Sequence, residues 1–297
     1  MRYTKPSLTF AAQAELLLSR GLVAPSKEAV IERLQVVSYY HLSAYWYPFR
    51  LPDDTLRPGT TLDMIWRRYT FDRQLRLLLI DAIERAEIAV RTQVVYHHTQ
   101  LYGPFGYCDP ARLRGISPAD HADLLRRLRE EAERSREDFV KHFQRKYAEE
   151  TDLPLWMASE LMTFGNMLTL FRGVEQPLKQ AIARHFGVAD TVLESWLHVL
   201  NHVRNICAHH GRMWNRVLGL KPLIPRPHKH PDWHVPVTVP NERVYAVLTI
   251  LQFLLRQVAP HTAWRQRLLG LFARYPDISL TPMGFPPSWD QSPLWRP

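Results

Sequence analysis

Between residues 62 and 98 charged and apolar side chains alternate with a period near 3.6, and neither glycine nor proline interrupts the run. A segment of that length predicts one long helix, and whatever packs on it must present helical or sheet surface of matching length. Helical periodicity recurs through the rest of the chain while strand alternation is scarce, so the expected fold class is all-α. A first helix is expected from near Thr9 to Gly21, and a second over "KEAVIERLQVVSYYHLSAYWY", capped by Ser26 and closed by Pro48. Ser117, Pro118 and Asp120 form a strong start signal for a charged helical stretch, so a peripheral hairpin is expected at 112–148. "PLWMASELMTFGNMLTLFRG" and "QPLKQAIARHFG" read as two apolar helices. Asp190 is expected to cap the next helix, which Gly211 ends. The Pro-rich residues 219–240 cannot continue it; the chain resumes helically at "NERVYAVLTILQFLLRQV" and adds one short helix before a Pro- and Trp-containing tail.

Composition narrows the partners. The formal net charge is +9 with histidine neutral, which favours a polyanion: nucleic acid or an anionic membrane surface. No run of eighteen apolar residues is present and "MRYTKPSLTF" lacks the apolar stretch of a signal peptide, so no membrane span is expected. Two cysteines, Cys108 and Cys207, make neither a disulfide framework nor a four-ligand zinc site, and a reduced cytoplasmic setting is expected. The absence of a Walker loop, a dinucleotide fingerprint and G-x-S-x-G disfavours nucleotide hydrolysis and esterase chemistry.

The stretch "NHVRNICAHHGRMWNR", Asn201 to Arg216, concentrates asparagine, histidine and arginine on what reads as helix. On a helical wheel Val192, Trp196, Val199, Leu200, Val203, Ile206 and Cys207 gather on one arc, with Leu193 and Leu197 at its edge. Glu194, His198, Asn201, His202, Asn205 and His209 gather opposite. A face selected only for solvation tends towards Glu, Lys, Gln and Arg; a row of short hydrogen-bonding groups suits a surface that holds something. Both readings stand at this point. Arg204 falls at the border of the buried arc, either paired with a carboxylate on an adjacent helix or presenting its fork to a phosphate. Arg212, Asn215 and Arg216 add a basic cluster, and Trp214 is expected to be buried more than stacking.

The spacing Arg204-Asn205-x-x-x-His209 matches the R-N-x-x-x-H signature of HEPN ribonucleases, and the wider string "RNICAHHGRMWNR" resembles Abi-like (abortive infection, AbiD/AbiF type) bacterial proteins. "YTKPSLTFAAQAELLLSRGL", "VSYYHLSAYWYPF", "SELMTFGNMLTLF" and "MGFPPSWDQSPLW" look like the same family. The resemblance implies a HEPN-type helical bundle elaborated with additional N-terminal and C-terminal helices. It would form a single unit over 1–297, with residues 153–272 holding the motif helix and its packing partners. It implies metal-independent RNA cleavage in phage defence, without a cofactor, by a homodimer, with an antitoxin or regulatory RNA as a further partner. Carried over residue by residue, the motif falls on Arg204, Asn205 and His209. His210 is a competitor for the imidazole, with Asn201, His202 and Glu160 in support and Arg212, Asn215 and Arg216 as RNA contacts.

Three other readings remain open. His198 and His202 are four apart and His228, His230 and His234 lie in the loop, a spacing that can hold a metal ion, though H-E-x-x-H is absent. "SYYHLSAYWYPF" can be a base-stacking platform or the core of a helix contact. The basic surface can hold a small partner RNA without cutting it.

Overall fold

In the computed structural model, which describes Arg2 and residues 6–296, the long periodic run becomes a single rod on which the rest of the chain is assembled. Twelve α-helices are formed among these residues and no named strand, so the protein is an all-α bundle. In chain order they are α1 (Phe10–Ser19), α2 (Lys27–Val36), α3 (Tyr39–Trp46), α4 (Leu62–Tyr102), α5 (Pro118–Arg134), α6 (Asp138–Lys146), α7 (Leu155–Ala158), α8 (Phe164–Gly173), α9 (Gln176–His185), α10 (Asp190–Ala208), α11 (Val244–Val258) and α12 (Trp264–Arg274). The rod, α4, starts where Thr61 Oγ1 accepts from the Met64 N–H at 3.1 Å and stops at Gly103, whose φ of 69° lies in the left-handed region. Its 41 residues span about 60 Å at 1.5 Å per residue.

Two hydrophobic clusters share this rod. Ala14, Leu17, Val30, Leu34, Leu42, Tyr45 and Trp46 from α1–α3 close over Leu62 and Ile65 in its first turns. From Phe71 onward the buried stripe Leu75, Leu79, Ile83, Ala86, Val90 and Val94 belongs to the main cluster, which α8–α12 complete. Leu124, Leu125 and Leu128 of α5 and Val140 and Phe143 of α6 also join that cluster, while the charged sides of both helices are wet.

Local chemistry overrides the periodic pattern at two places. The second expected helix is split at Val37–Ser38, where the Ser38 hydroxyl accepts from the His41 N–H at 3.3 Å and starts α3 afresh. The apolar run at 154–173 is likewise broken into α7, a short 3-10 turn and α8, because Thr163 Oγ1 accepts from Asn166 N–H at 3.2 Å. Both are side-chain caps that compete with helix continuation. Neither cysteine is in a disulfide, and no helix among the described residues is long and apolar enough to cross a membrane.

Candidate active site

Helix α10 divides into two faces. Val192, Leu193, Trp196, Leu197, Val199, Leu200, Val203 and Cys207 are buried, with Ile206 half-buried. Leu193 and Leu197, expected at the edge, are fully covered, because α4, α8 and α9 all pack along this side. On the other face Glu194 forms ion pairs with Lys179 at 3.4 Å and Arg172 at 3.6 Å. Asn201 is half-buried beside Gly165 of α8. His202, Arg204, Asn205, His209 and His210 are all exposed.

The start and end of α10 differ from expectation in detail. Ala189 is the cap residue; Asp190 is the first helical residue and accepts from Gln176 Nε2 at 2.6 Å instead of capping. At the far end His209 is the C-cap, and His210, not Gly211, takes the left-handed conformation with φ 59°. The Gly211 N–H donates to the Ile206 carbonyl at 2.8 Å and the His210 N–H to that of Cys207 at 3.1 Å, the Schellman pattern. Histidine is one of the few side chains enriched in this region of backbone space. Gly211 is needed for a different reason: a Cβ there would stand 2.8 Å from Ile206 Cγ2 and 3.2 Å from the Ile206 oxygen. Gly211→Ala is therefore expected to lower stability by about 1–3 kcal/mol, as overpacking does. An unchanged thermal midpoint would count against this account of the turn.

What holds the turn in place is a buried carboxylate on the rod. Asp72 Oδ1 accepts from the backbone N–H of Met213 at 2.9 Å and of Trp214 at 2.6 Å. Its other oxygen accepts from Tyr45 Oη at 2.7 Å and from Arg76, whose Nη1 also reaches Tyr45 Oη at 3.1 Å. Burial pushes the Asp72 carboxyl up, opposed by Arg76, Tyr45 and the two backbone N–H groups. Every partner is a donor, so the geometry uses the ionised form, an acceptor only. One residue thus ties the rod to α3 and to the segment that follows the imidazoles.

Arg204 forms no ion pair among the described residues; its Nη1 lies 3.4 Å from Asn205 Oδ1, so the guanidinium turns towards the polar face. The nearby carboxylate of Glu87 on α4 is committed to Arg91 at 2.8 Å. Burial pushes the Glu87 carboxyl up, opposed first by Arg91 and then by Arg204. Of the other proposed contacts, Arg212 is half-buried and donates to the Ala44 carbonyl, and Arg216 Nε donates to the Arg212 carbonyl at 2.8 Å. Asn215 is half-buried, and Trp214 is buried with 5% exposure. Glu160 is exposed on the 3-10 turn before α8 and makes no ion pair among the described residues. No group of three or more His, Cys, Asp or Glu among the described residues is disposed to hold a metal ion. The aromatic segment at 38–49 is mixed: Leu42, Tyr45 and Trp46 are core, while Tyr40 and Tyr47 are 89% and 66% exposed.

Two neighbours of the motif were not singled out from the sequence. Asp72 is one, although an Asp72/Arg76 pair four apart, flanked by Phe71, Leu75 and Leu79, is a signal of a buried polar element. His41 is the other. Half-buried on α3 and edge-on to Tyr69 at 6.0 Å, it is held below its ordinary pKa by burial and then by Arg76 and His210. It thus adds an imidazole beside the end of α10.

Fold and site together define an all-helical protein with an arginine, an amide and imidazoles all exposed at one helix end. The chain belongs to the Abi-like protein family, whose model matches residues 32–215. That match begins in α2 and closes at Asn215, just beyond the backbone that Asp72 holds, and membership suggests a part in abortive infection. Comparison with curated proteins and with solved structures finds no match.

Proposed function

We propose that the protein is an endoribonuclease of a bacterial abortive-infection or toxin-type system, cleaving RNA through the substrate's own 2′-OH without a metal ion. The observation that carries this reading is the grouping at the end of α10. Arg204 is exposed and forms no ion pair among the described residues, Asn205 touches it, and the His209 imidazole is exposed one turn further on. An imidazole can take or give a proton near neutral pH. An arginine fork matches the non-bridging phosphate oxygens and stabilises their growing charge.

In the proposed step the 2′-oxygen attacks phosphorus as its proton passes to one imidazole. The bond from phosphorus to the 5′-oxygen breaks, and that oxygen takes a proton from a second imidazole. Products end in 2′,3′-cyclic phosphate and 5′-OH. Arg204 and His209 are roughly 140° apart on the helix, so a two-fold pairing of α10 ends would supply both imidazoles and two arginines to one phosphate. His210 and His41 are the other candidates for the second proton transfer.

The test is cleavage of a single-stranded RNA by the purified full chain in excess chelator, with the new ends identified chemically. The expected result is cyclic phosphate and 5′-OH ends, and no cutting of the same RNA carrying 2′-O-methyl groups. Cleavage that requires an added divalent ion and leaves 5′-phosphate ends would overturn the reading.

A further inference from the structure

The opposite end of α10 carries a feature that the imidazole cluster does not use. A cavity of about 560 Å³ opens between the last turn of α9, the start of α10 and the loop that returns over them. Arg184, Arg226 and Lys229 line it, with His230 beside them. All three cations are exposed, and none forms an ion pair or a side-chain hydrogen bond among the described residues. Elsewhere on the surface Arg126 and Arg127 pair with Asp123, Arg129 with Asp152, and Arg267 with Asp81. The one carboxylate in the cavity wall, Asp190, is occupied by Gln176 Nε2. The negative charge of Asp232, two residues on, acts on His230 and opposes the lowering of its pKa by burial and Lys229.

The loop that carries Arg226 and Lys229 is held in place by the fold. Trp196 Nε1 donates to the Leu223 carbonyl at 2.8 Å, and the Leu223 N–H donates to Ser195 Oγ at 2.9 Å. Trp233 packs against Trp196 at 5.3 Å and Phe253 at 5.7 Å, beneath the loop. The N–H groups of Lys229 and His230 both close on the Arg226 carbonyl at 3.0 Å. Unpaired like charges brought together by a well-packed loop cost repulsion unless an anion neutralises them.

We infer that this cavity binds phosphate groups of an anionic ligand. Two guanidiniums from separate segments suit the paired oxygens of phosphate, and the ammonium of Lys229 adds a point charge. The volume falls in the range of small-molecule sites and admits more than one phosphate. The first turn of α10, whose cap residue Ala189 offers no side-chain acceptor, contributes a field of the same sign. The two ends of α10 are separated by roughly 28 Å at 1.5 Å per residue, so a polynucleotide held here can continue towards the imidazoles. A free polyphosphate would occupy the cavity alone. The inference does not depend on cleavage.

The test uses the full chain and two probes, inorganic tripolyphosphate by calorimetry and a 2′-O-methyl RNA, which cannot be cut by the proposed route, by fluorescence anisotropy. Arg226→Ala/Lys229→Ala is compared with wild type and with Arg136→Ala/Lys146→Ala, which removes the same charge elsewhere. Loss of RNA affinity in the first variant, with the salt slope reduced by about one per cation removed, supports a site for strand phosphates. Tripolyphosphate binding to wild type that is lost only in the cavity variant supports a small polyphosphate. If both variants match each other with both probes, or neither probe binds wild type, the inference is overturned. Because both probes resist turnover, the outcome is independent of whether the protein is a nuclease.

Discussion

Asp72→Ala is expected to destabilise the protein by about 3–5 kcal/mol, the loss typical when one partner of a buried ion pair is removed. Asp72 is fully buried, and its removal strands Arg76, which is 5% exposed, together with two backbone N–H groups and the Tyr45 hydroxyl. Thermal unfolding followed by circular dichroism should show a midpoint lower by roughly 10 °C. Asp72→Asn keeps an acceptor for part of this set but leaves the guanidinium charge uncompensated, so it should fall between wild type and Asp72→Ala. Tyr45→Phe removes one hydroxyl and leaves the pair itself intact, so its effect should be the smallest of the three. A melting point for Asp72→Ala within a degree or two of wild type would mean that the clamp does not hold the segment after α10.

The second large effect is on rate. His209→Ala should reduce RNA cleavage by roughly 10²- to 10⁴-fold, the usual contribution of a positioned acid or base. Its melting point should stay unchanged, because His209 is exposed and its ring makes no hydrogen bond among the described residues. Arg204→Ala should cost on the order of 10²- to 10³-fold, as when one donor to a developing oxyanion is removed. His210→Gly separates the two neighbouring imidazoles. Glycine accepts the φ of 59° readily, so the turn survives, and activity should fall only if His210 takes part in proton transfer. Equal activity for wild type, His209→Ala and His210→Gly would remove these two imidazoles from the mechanism.

The long rod and the two faces of α10 were legible because both rest on local periodicity over many turns. The breaks at Ser38 and Thr163 were not, because the apolar pattern runs straight through them and a single hydroxyl decides the outcome. Asp190 and Gly211 show the same limit at helix ends. Residue type narrows the position to within a residue or so, and the packing of Gln176 and Ile206 selects which one caps. The proposed motif residues Arg204, Asn205 and His209 lie in one short stretch at a single helix end, so a sequence pattern can contain all three. Asp72 and His41 could not be joined to them, because they come from α4 and α3, and Asp72 lies 141 residues before Met213. The basic cavity is a product of the same kind of distant assembly, drawing Arg184 from α9 and Arg226 and Lys229 from a loop whose path depends on Trp196 and Trp233.

Cleavage of RNA at the end of α10 is tested most directly by sequencing the RNA that copurifies with wild type and with His209→Ala. Wild type should carry fragments ending in 2′,3′-cyclic phosphate, and His209→Ala should carry the same RNAs uncut. The same intact RNA recovered from both proteins would contradict the claim and identify a protein that holds RNA without cleaving it.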